Sequence, residues 1–251
     1  MQKMRKKRLR IFAGPNGSGK STLFEEFSKN YNTGYFINAD HIENTLATKG
    51  FIDLEDYNIK STQQDLDSFF EKVEAQTLIE KSKISGHIID VEIRENLIVD
   101  QSKSAHSYEG ALVAMFLREK LIENNESFCF ETVMSHRSKL KEIEDAKKLG
   151  YTTYLYFVCI DDPEINISRI ENRVDKGGHT VADEKVVNRY PKTLENLYPA
   201  ISLCNKSYLF DNSGEELTLI AEIQDNSFLK LAVDEAKLPN WFKIYVLNHY
   251  L

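Results

Sequence analysis

Gly14-Pro15-Asn16-Gly17-Ser18-Gly19-Lys20-Ser21 is the stretch on which the fold turns. It satisfies G-x-x-x-x-G-K-[ST], a loop whose glycines let backbone N–H groups wrap a phosphate chain. The flanks agree with that reading. Leu9, Ile11 and Phe12 form a short apolar run of the length of a buried strand, and Ser21 to Lys29 reads as a helix. That helix directs its positive end at the phosphates. Lys20 suits the β- and γ-phosphates, and the Ser21 hydroxyl suits Mg²⁺. Gly14, Pro15, Asn16, Gly17, Ser18, Gly19, Lys20, Ser21 and Thr22 are therefore read as the ATP-binding stretch, with Mg²⁺ as the companion ion.

Further apolar runs lie downstream: Tyr35 to Ile37, Phe128 to Phe130, Thr153 to Ile160 and Tyr208 to Phe210. Each ends in polar residues: Asn38-Ala39-Asp40, Glu131-Thr132, Asp161-Asp162 and Asp211-Asn212. Helical patterns fall between several of them, as at Leu112/Met115/Phe116 and Leu140/Ile143/Ala146/Leu149. Strands alternating with helices imply an α/β P-loop fold, a parallel sheet with helices on both faces. Ligands bind beyond the carboxyl ends of such strands, where these polar residues would gather. Residues 51–104 break the alternation. Leu66, Phe69, Val73 and Leu78 suit one helix face, and Ile89 to Val99 reads as a hairpin turning at Glu95-Asn96. The expected organisation is a core over 1–225 containing this insertion, either a substrate cap or a peripheral decoration. A helical extension over 226–251, with Phe228, Leu231 and Trp241 to Val246, would pack on the core.

Composition sets outer limits. With 251 residues, 41% hydrophobic and 28% charged, the chain can build a core without being disordered. A net charge of −7 argues against general duplex binding, so nucleic acid is not the expected partner. Three cysteines without a C-x-x-C pair argue against a disulfide scaffold or zinc ribbon, and Cys129 and Cys159 read as core residues. The histidines have no metal-ligand spacing. No apolar run reaches the roughly 18–20 residues of a membrane span. Met1 to Arg10 is basic, but Leu9 to Phe12 is too short for a signal peptide. The expectation is a cytoplasmic protein without a membrane partner.

A phosphate loop gives nucleotide binding, not a reaction. Asp161, closing the longest strand, could serve an ABC-type or motor ATPase, but no LSGGQ-like segment appears and Pro163 follows. An arginine-rich stretch comes next: Arg169, Arg173, Lys176-Gly177-Gly178-His179 and Arg189. Arg169 and Arg173 share a helix face, and the two glycines offer a joint. Small-molecule kinases use arginines of this kind to offset charge on the transferring phosphoryl group.

These pieces together resemble the zeta-toxin family of P-loop kinases, including relatives labelled predicted ABC-type ATPases. The resemblance rests on AGPNGSGKST (Ala13 to Thr22), Asn38-Ala39-Asp40-His41-Ile42 and SFCFETVMS (Ser127 to Ser135). It continues through PEINISRIENRV (Pro163 to Val174), GGHTV (Gly177 to Val181), Asn188 to Leu197 and Phe210-Asp211-Asn212-Ser213. It implies phosphoryl transfer from ATP to a hydroxyl, which in toxin members belongs to a UDP-activated amino sugar. By this resemblance Asp40 matches the general base, and Glu131 and Thr132 match substrate-contacting positions. Arg173 and Arg189 best match the paired arginines near the γ-phosphate, with Arg169 the competitor for the first. Where the family often has E-T-T-L-S-G, this chain has Glu131-Thr132-Val133-Met134-Ser135-His136. The resemblance also brings an antitoxin protein into view as a partner.

The expectation is thus an ATP- and Mg²⁺-dependent kinase phosphorylating a small-molecule hydroxyl. Lys20, Asp40, Arg173 and Arg189 would carry the reaction. The rivals are a nucleotide-dependent ATPase or switch acting on a protein partner, and a polynucleotide kinase-like enzyme.

Overall fold

The computed structural model describes residues 6–102, 106–174 and 182–251, with the side chains of 173 and 174 outside that set. In chain order the first elements are β1 (Arg8–Ala13), α1 (Lys20–Asn30), β2 (Tyr35–Ile37), α2 (Ala39–Lys49), β3 (Phe51–Asp53), α3 (Gln63–Phe70) and α4 (Val73–Ile84). Then come β4 (Val91–Arg94), β5 (Leu97–Asp100), α5 (Ser107–Glu123), β6 (Phe128–Thr132), α6 (Ser138–Lys148), β7 (Thr152–Cys159) and α7 (Pro163–Val174). The chain finishes with α8 (Asp183–Glu195), α9 (Leu197–Leu203), β8 (Lys206–Asp211), β9 (Thr218–Gln224), β10 (Phe228–Leu231) and α10 (Asn240–Tyr245). Two compact units result, one from Met1–Thr33 with Cys129–Leu251, the other from Gly34–Phe128.

In the first unit the sheet runs β10-β9-β8-β7-β1-β6. Its centre is parallel: Ile11 faces Leu155 between β1 and β7, and Phe157 faces Leu209 between β7 and β8. Alternation along the strands sends neighbouring side chains to opposite faces. On one face Phe12 stacks on Tyr156 (4.9 Å between ring centres), and the α1 rings of Phe24 and Phe27 meet Phe12 edge-on. On the other face Phe157 meets Trp241 of α10 at 5.8 Å. Helices therefore cover both faces, and Leu9, Ile11, Leu155 and Phe157 are buried. Cys129 and Cys159 are buried strand residues, as their apolar neighbours suggested, and burial pushes the Cys129 thiol up to about 12.

The C-terminal region departs from the helical expectation. Beyond Asn226 the chain first forms β10, paired antiparallel with β9. The turn between them places Asp225 and Asn226 at positive φ (47° and 53°), which short polar side chains tolerate. β9 itself went unread in the sequence. Only Asn240–Tyr245 is α-helical, where Trp241 and Phe242 are buried.

The second unit holds a three-stranded sheet, β3-β5-β4. The expected hairpin is β4–β5, and Glu95 and Asn96 have positive φ at its turn. The expected single helix divides into α3 and α4. Leu66 and Phe69 are buried, but Val73 is 76% exposed because it opens the second helix. α2 packs on α5 at Gly110, where an added Cβ would come within 2.9 Å of Glu43 Cβ. The start of α5 is fixed by buried acids: His87 pairs with Glu109 and His106 with Asp100, each at 2.6 Å.

Candidate functional site

The loop after β1 is held on three sides. A Cβ on Gly14 would lie 2.0 Å from the Val158 carbonyl oxygen of β7. One on Gly17 would lie 2.5 Å from the Asn166 carbonyl of α7, and one on Gly19 would lie 2.6 Å from Asn212 Nδ2. All three glycines have positive φ, so both space and backbone conformation demand their lack of a side chain. Gly19 is also the N-cap of α1 and supplies no side-chain cap, so the first N–H groups of that helix open onto the loop. Lys20 Nζ donates to the Pro15 carbonyl at 2.8 Å, which lays the ammonium over the loop.

The cradle fits a polyphosphate: close-packed glycines, a helix N-terminus and a lysine. Two buried acceptors within it, Asn16 Oδ1 and Ser18 Oγ, have no hydrogen-bond partner among the described residues. The metal side fits as well. Ser21 Oγ donates to Glu131 Oε1 at 2.9 Å, bringing a strand-end carboxylate to the hydroxyl expected to meet Mg²⁺. The family resemblance gives Glu131 to the acceptor; its bond to Ser21 rests on the adjacency of β6 to β1, which no local pattern shows.

Thr132 turns its hydroxyl inward on its own loop, accepting from the Met134 N–H at 3.0 Å where Met134 adopts φ 59°. The loop is then fastened by α8. Thr193 Oγ1 donates to the Val133 carbonyl, and Asn196 Nδ2 donates to the Met134 carbonyl, both at 2.9 Å. Tyr190 on the same helix donates its hydroxyl to the Ile160 carbonyl at 2.6 Å, so α8 is tied to the exit of β7 too. Arg189, half-buried, rides on this fixed helix. Sequence reasoning missed Thr193 and Asn196, since a hydroxyl inside α8 and an amide at its C-terminal cap carry no signature of what they bind. The Arg173 side chain and the Lys176-Gly177-Gly178-His179 joint lie outside the described residues. Arg169 is half-buried on α7.

Asp161 is not available to a metal in the way an ATPase reading needs. Its Oδ1 accepts the Trp241 N–H at 2.9 Å and its Oδ2 accepts the Asn240 N–H at 3.1 Å, so it caps α10. Asp40 belongs to the second unit and is exposed at the second position of α2. The helix cap there is Asn38, whose Oδ1 accepts from the N–H groups of Asp40 and His41 at 2.9 and 3.1 Å. Asn38, not Asp40, therefore caps α2.

No protein-family profile matches the chain. An uncharacterized Haemophilus influenzae protein is 35% identical over 69 residues, covering 28% of this chain and 49% of that one. The chain thus spans about half the length of the curated relative it matches. Among solved structures, a chain of the AvrRxo1-ORF1:AvrRxo1-ORF2 complex with sulphate ions superposes with a TM-score of 0.54 at 14% identity. The match covers 93% of this chain and 63% of the other. The same complex with ATP gives 0.50 at 12% identity, covering 91% and 61%. At these identities the likeness concerns the fold. Among the described residues no helix is long and apolar enough to cross a membrane.

Proposed function

We propose that this chain is an ATP-dependent phosphotransferase with an alcohol acceptor, a zeta-toxin-like kinase. The observation that carries the reading is the Ser21–Glu131 hydrogen bond, which joins the phosphate loop to a strand-end carboxylate. Mg²⁺, held by Ser21 with Glu131 beside it, would supply charge neutralisation at the phosphates. The N–H groups of the glycine loop bind and orient the triphosphate, and Lys20 offsets charge on the β- and γ-phosphates. Arg189, with Arg173 or Arg169, offsets the charge of the transferring group. Asp40 takes the proton of the attacking hydroxyl, a weak nucleophile without a base. By the family resemblance the acceptor is a small molecule such as a UDP-activated amino sugar, with Thr132 on the acceptor side; Glu131, which the resemblance also gives to the acceptor, is assigned to the metal side by its bond to Ser21.

Two further supports are indirect. A structure of similar fold is known with ATP. That fold is also known within a two-protein complex, which supports an antitoxin-like partner. The commitment of Asp161 to capping α10 weighs against the ATPase or switch reading.

The test uses γ-labelled ATP and a panel of UDP-sugars, nucleotides and small metabolites. The wild-type protein labels one of them. Asp40→Asn folds and binds ATP normally yet labels it ~10²-fold more slowly. Brisk ATP hydrolysis with no labelled acceptor and indifference to Asp40→Asn would sink the kinase reading.

A further inference from the structure

The segment after β8 reaches the phosphate loop through one side chain. Asn212 Nδ2 donates to the Ser18 carbonyl at 2.8 Å. In a trans peptide the carbonyl and the next N–H point in opposite directions. Holding the Ser18 carbonyl on Asn212 therefore aims the Gly19 N–H away from Asn212. The left-handed φ of 104° at Gly19 and the 2.6 Å approach of Asn212 Nδ2 to its missing Cβ show how tightly the two are fitted.

Asn212 is itself held at both flanks. Its own N–H donates to the Cys159 carbonyl at 2.8 Å. On one side Asp211 Oδ1 accepts the indole Nε1–H of Trp241 at 2.9 Å and the Ser213 hydroxyl at 2.9 Å. On the other side Ser213 Oγ accepts the Asp161 N–H at 2.9 Å, while the Asp161 carboxylate caps α10. A closed set of hydrogen bonds thus runs from α10 through Asp161, Ser213 and Asp211 to the residue that grips the loop. Trp241 is 2% exposed, so its bond to Asp211 is shielded from water.

We infer that Asn212 is a positioning residue of the phosphate loop, and that Trp241 of α10 holds it in place from the C-terminal region. The inference rests on the nucleotide reading of the loop and deepens it. It gives α10 a task at the nucleotide site, although α10 contributes no ligand to it.

The experiment measures Mg²⁺-ATP and inorganic tripolyphosphate affinity by calorimetry on the full chain. Variants are Asn212→Ala, Asn212→Asp, Trp241→Phe and the Asn212→Ala/Trp241→Phe pair, each checked by circular dichroism and melting without ligand. Asn212→Asp keeps the shape but sets an acceptor against the Ser18 carbonyl. Both Asn212 variants should weaken ATP and tripolyphosphate alike by 10-fold or more while melting near wild type. Equal loss for both probes places the defect at the phosphates, which a general loss of stability would not do. Trp241→Phe should weaken binding several-fold, and the pair should lose less than the product of the single effects. Trp241 is the one tryptophan in the sequence, so wild-type emission should also change on adding ATP. Wild-type affinity in the Asn212 variants, or independent effects in the pair, would overturn the inference. A wild-type protein that binds neither probe would instead overturn the nucleotide reading beneath it.

Discussion

Ser21 and Glu131 share one hydrogen bond of 2.9 Å, and the charge on that carboxylate is what a magnesium shell would feel. Removing the charge while keeping a hydrogen-bonding group separates the two roles open to Glu131. With Glu131→Gln, the Mg²⁺ requirement for ATP binding should rise about 10- to 100-fold, the usual loss when a ligand's carboxylate neighbour is changed. Calorimetric titration of ATP at several Mg²⁺ concentrations reads this directly. Unchanged Mg²⁺ dependence with a raised KM for the acceptor would return Glu131 to the acceptor side. Gly14 poses a simpler case. Its Cβ would meet a backbone oxygen at 2.0 Å, and φ there is 145°, so neither rotation nor side-chain repacking relieves Gly14→Ala. The variant should lose about 3 kcal/mol or more of stability, measured by denaturant unfolding.

Helix α3 shows how an element's own ends set its response to acid. Thr62 caps the helix, accepting from the Asp65 N–H, and Asp65 accepts in return from the Thr62 N–H at 2.8 Å. That backbone bond first, then the Thr62 hydroxyl, lowers the Asp65 carboxyl from 3.8 to about 2. The folded value lies below the unfolded one, so the contribution is complete above about pH 4 and fades as pH falls toward 2. The Asp65 side chain is 39% exposed, and solvent screening limits its effect to less than about 1 kcal/mol. Asp65→Asn should therefore cost that little at pH 7, and its unfolding midpoint should merge with wild type near pH 2. A constant difference across the range would contradict the assignment. Helix α8 makes the complementary point. It is fastened by Tyr190 and Thr193, and by Asn196 at its C-terminal cap, to the exits of β7 and β6, so Arg189 is presented from a fixed support.

For the protein taken entire, a ligand that binds only the folded state stabilises it by mass action. ATP with Mg²⁺ at about 100 times its Kd should add about 2.7 kcal/mol and raise the melting temperature. Lys20→Ala should remove most of that rise while leaving the melting temperature without nucleotide close to wild type. Equal shifts in both proteins would mean that the nucleotide binds elsewhere.

The glycine loop, its strand and its helix were readable in residues 9–29, because glycine placement and short-range periodicity are local properties. The parallel strands followed from the same kind of pattern, and so did the Glu95-Asn96 hairpin turn. Strand β10 was misread as helix, since Phe228 to Leu231 fits either period over so short a stretch and its partner β9 supplies the deciding hydrogen bonds. Val73 looked like a core position until the break after α3 turned it outward. At the candidate site, the loop pattern singled out Lys20 and Ser21. Which carboxylate meets Ser21 and which caps α10 depended on strand order, which brings Glu131 to the loop and commits Asp161 to Trp241. Asn212 stands 194 positions from Ser18, and only the folding of β8 beside β7 brings its amide within 2.8 Å of the loop. Local pattern specifies elements and motif chemistry; pairings between distant side chains exist only once the sheet has fixed the neighbours.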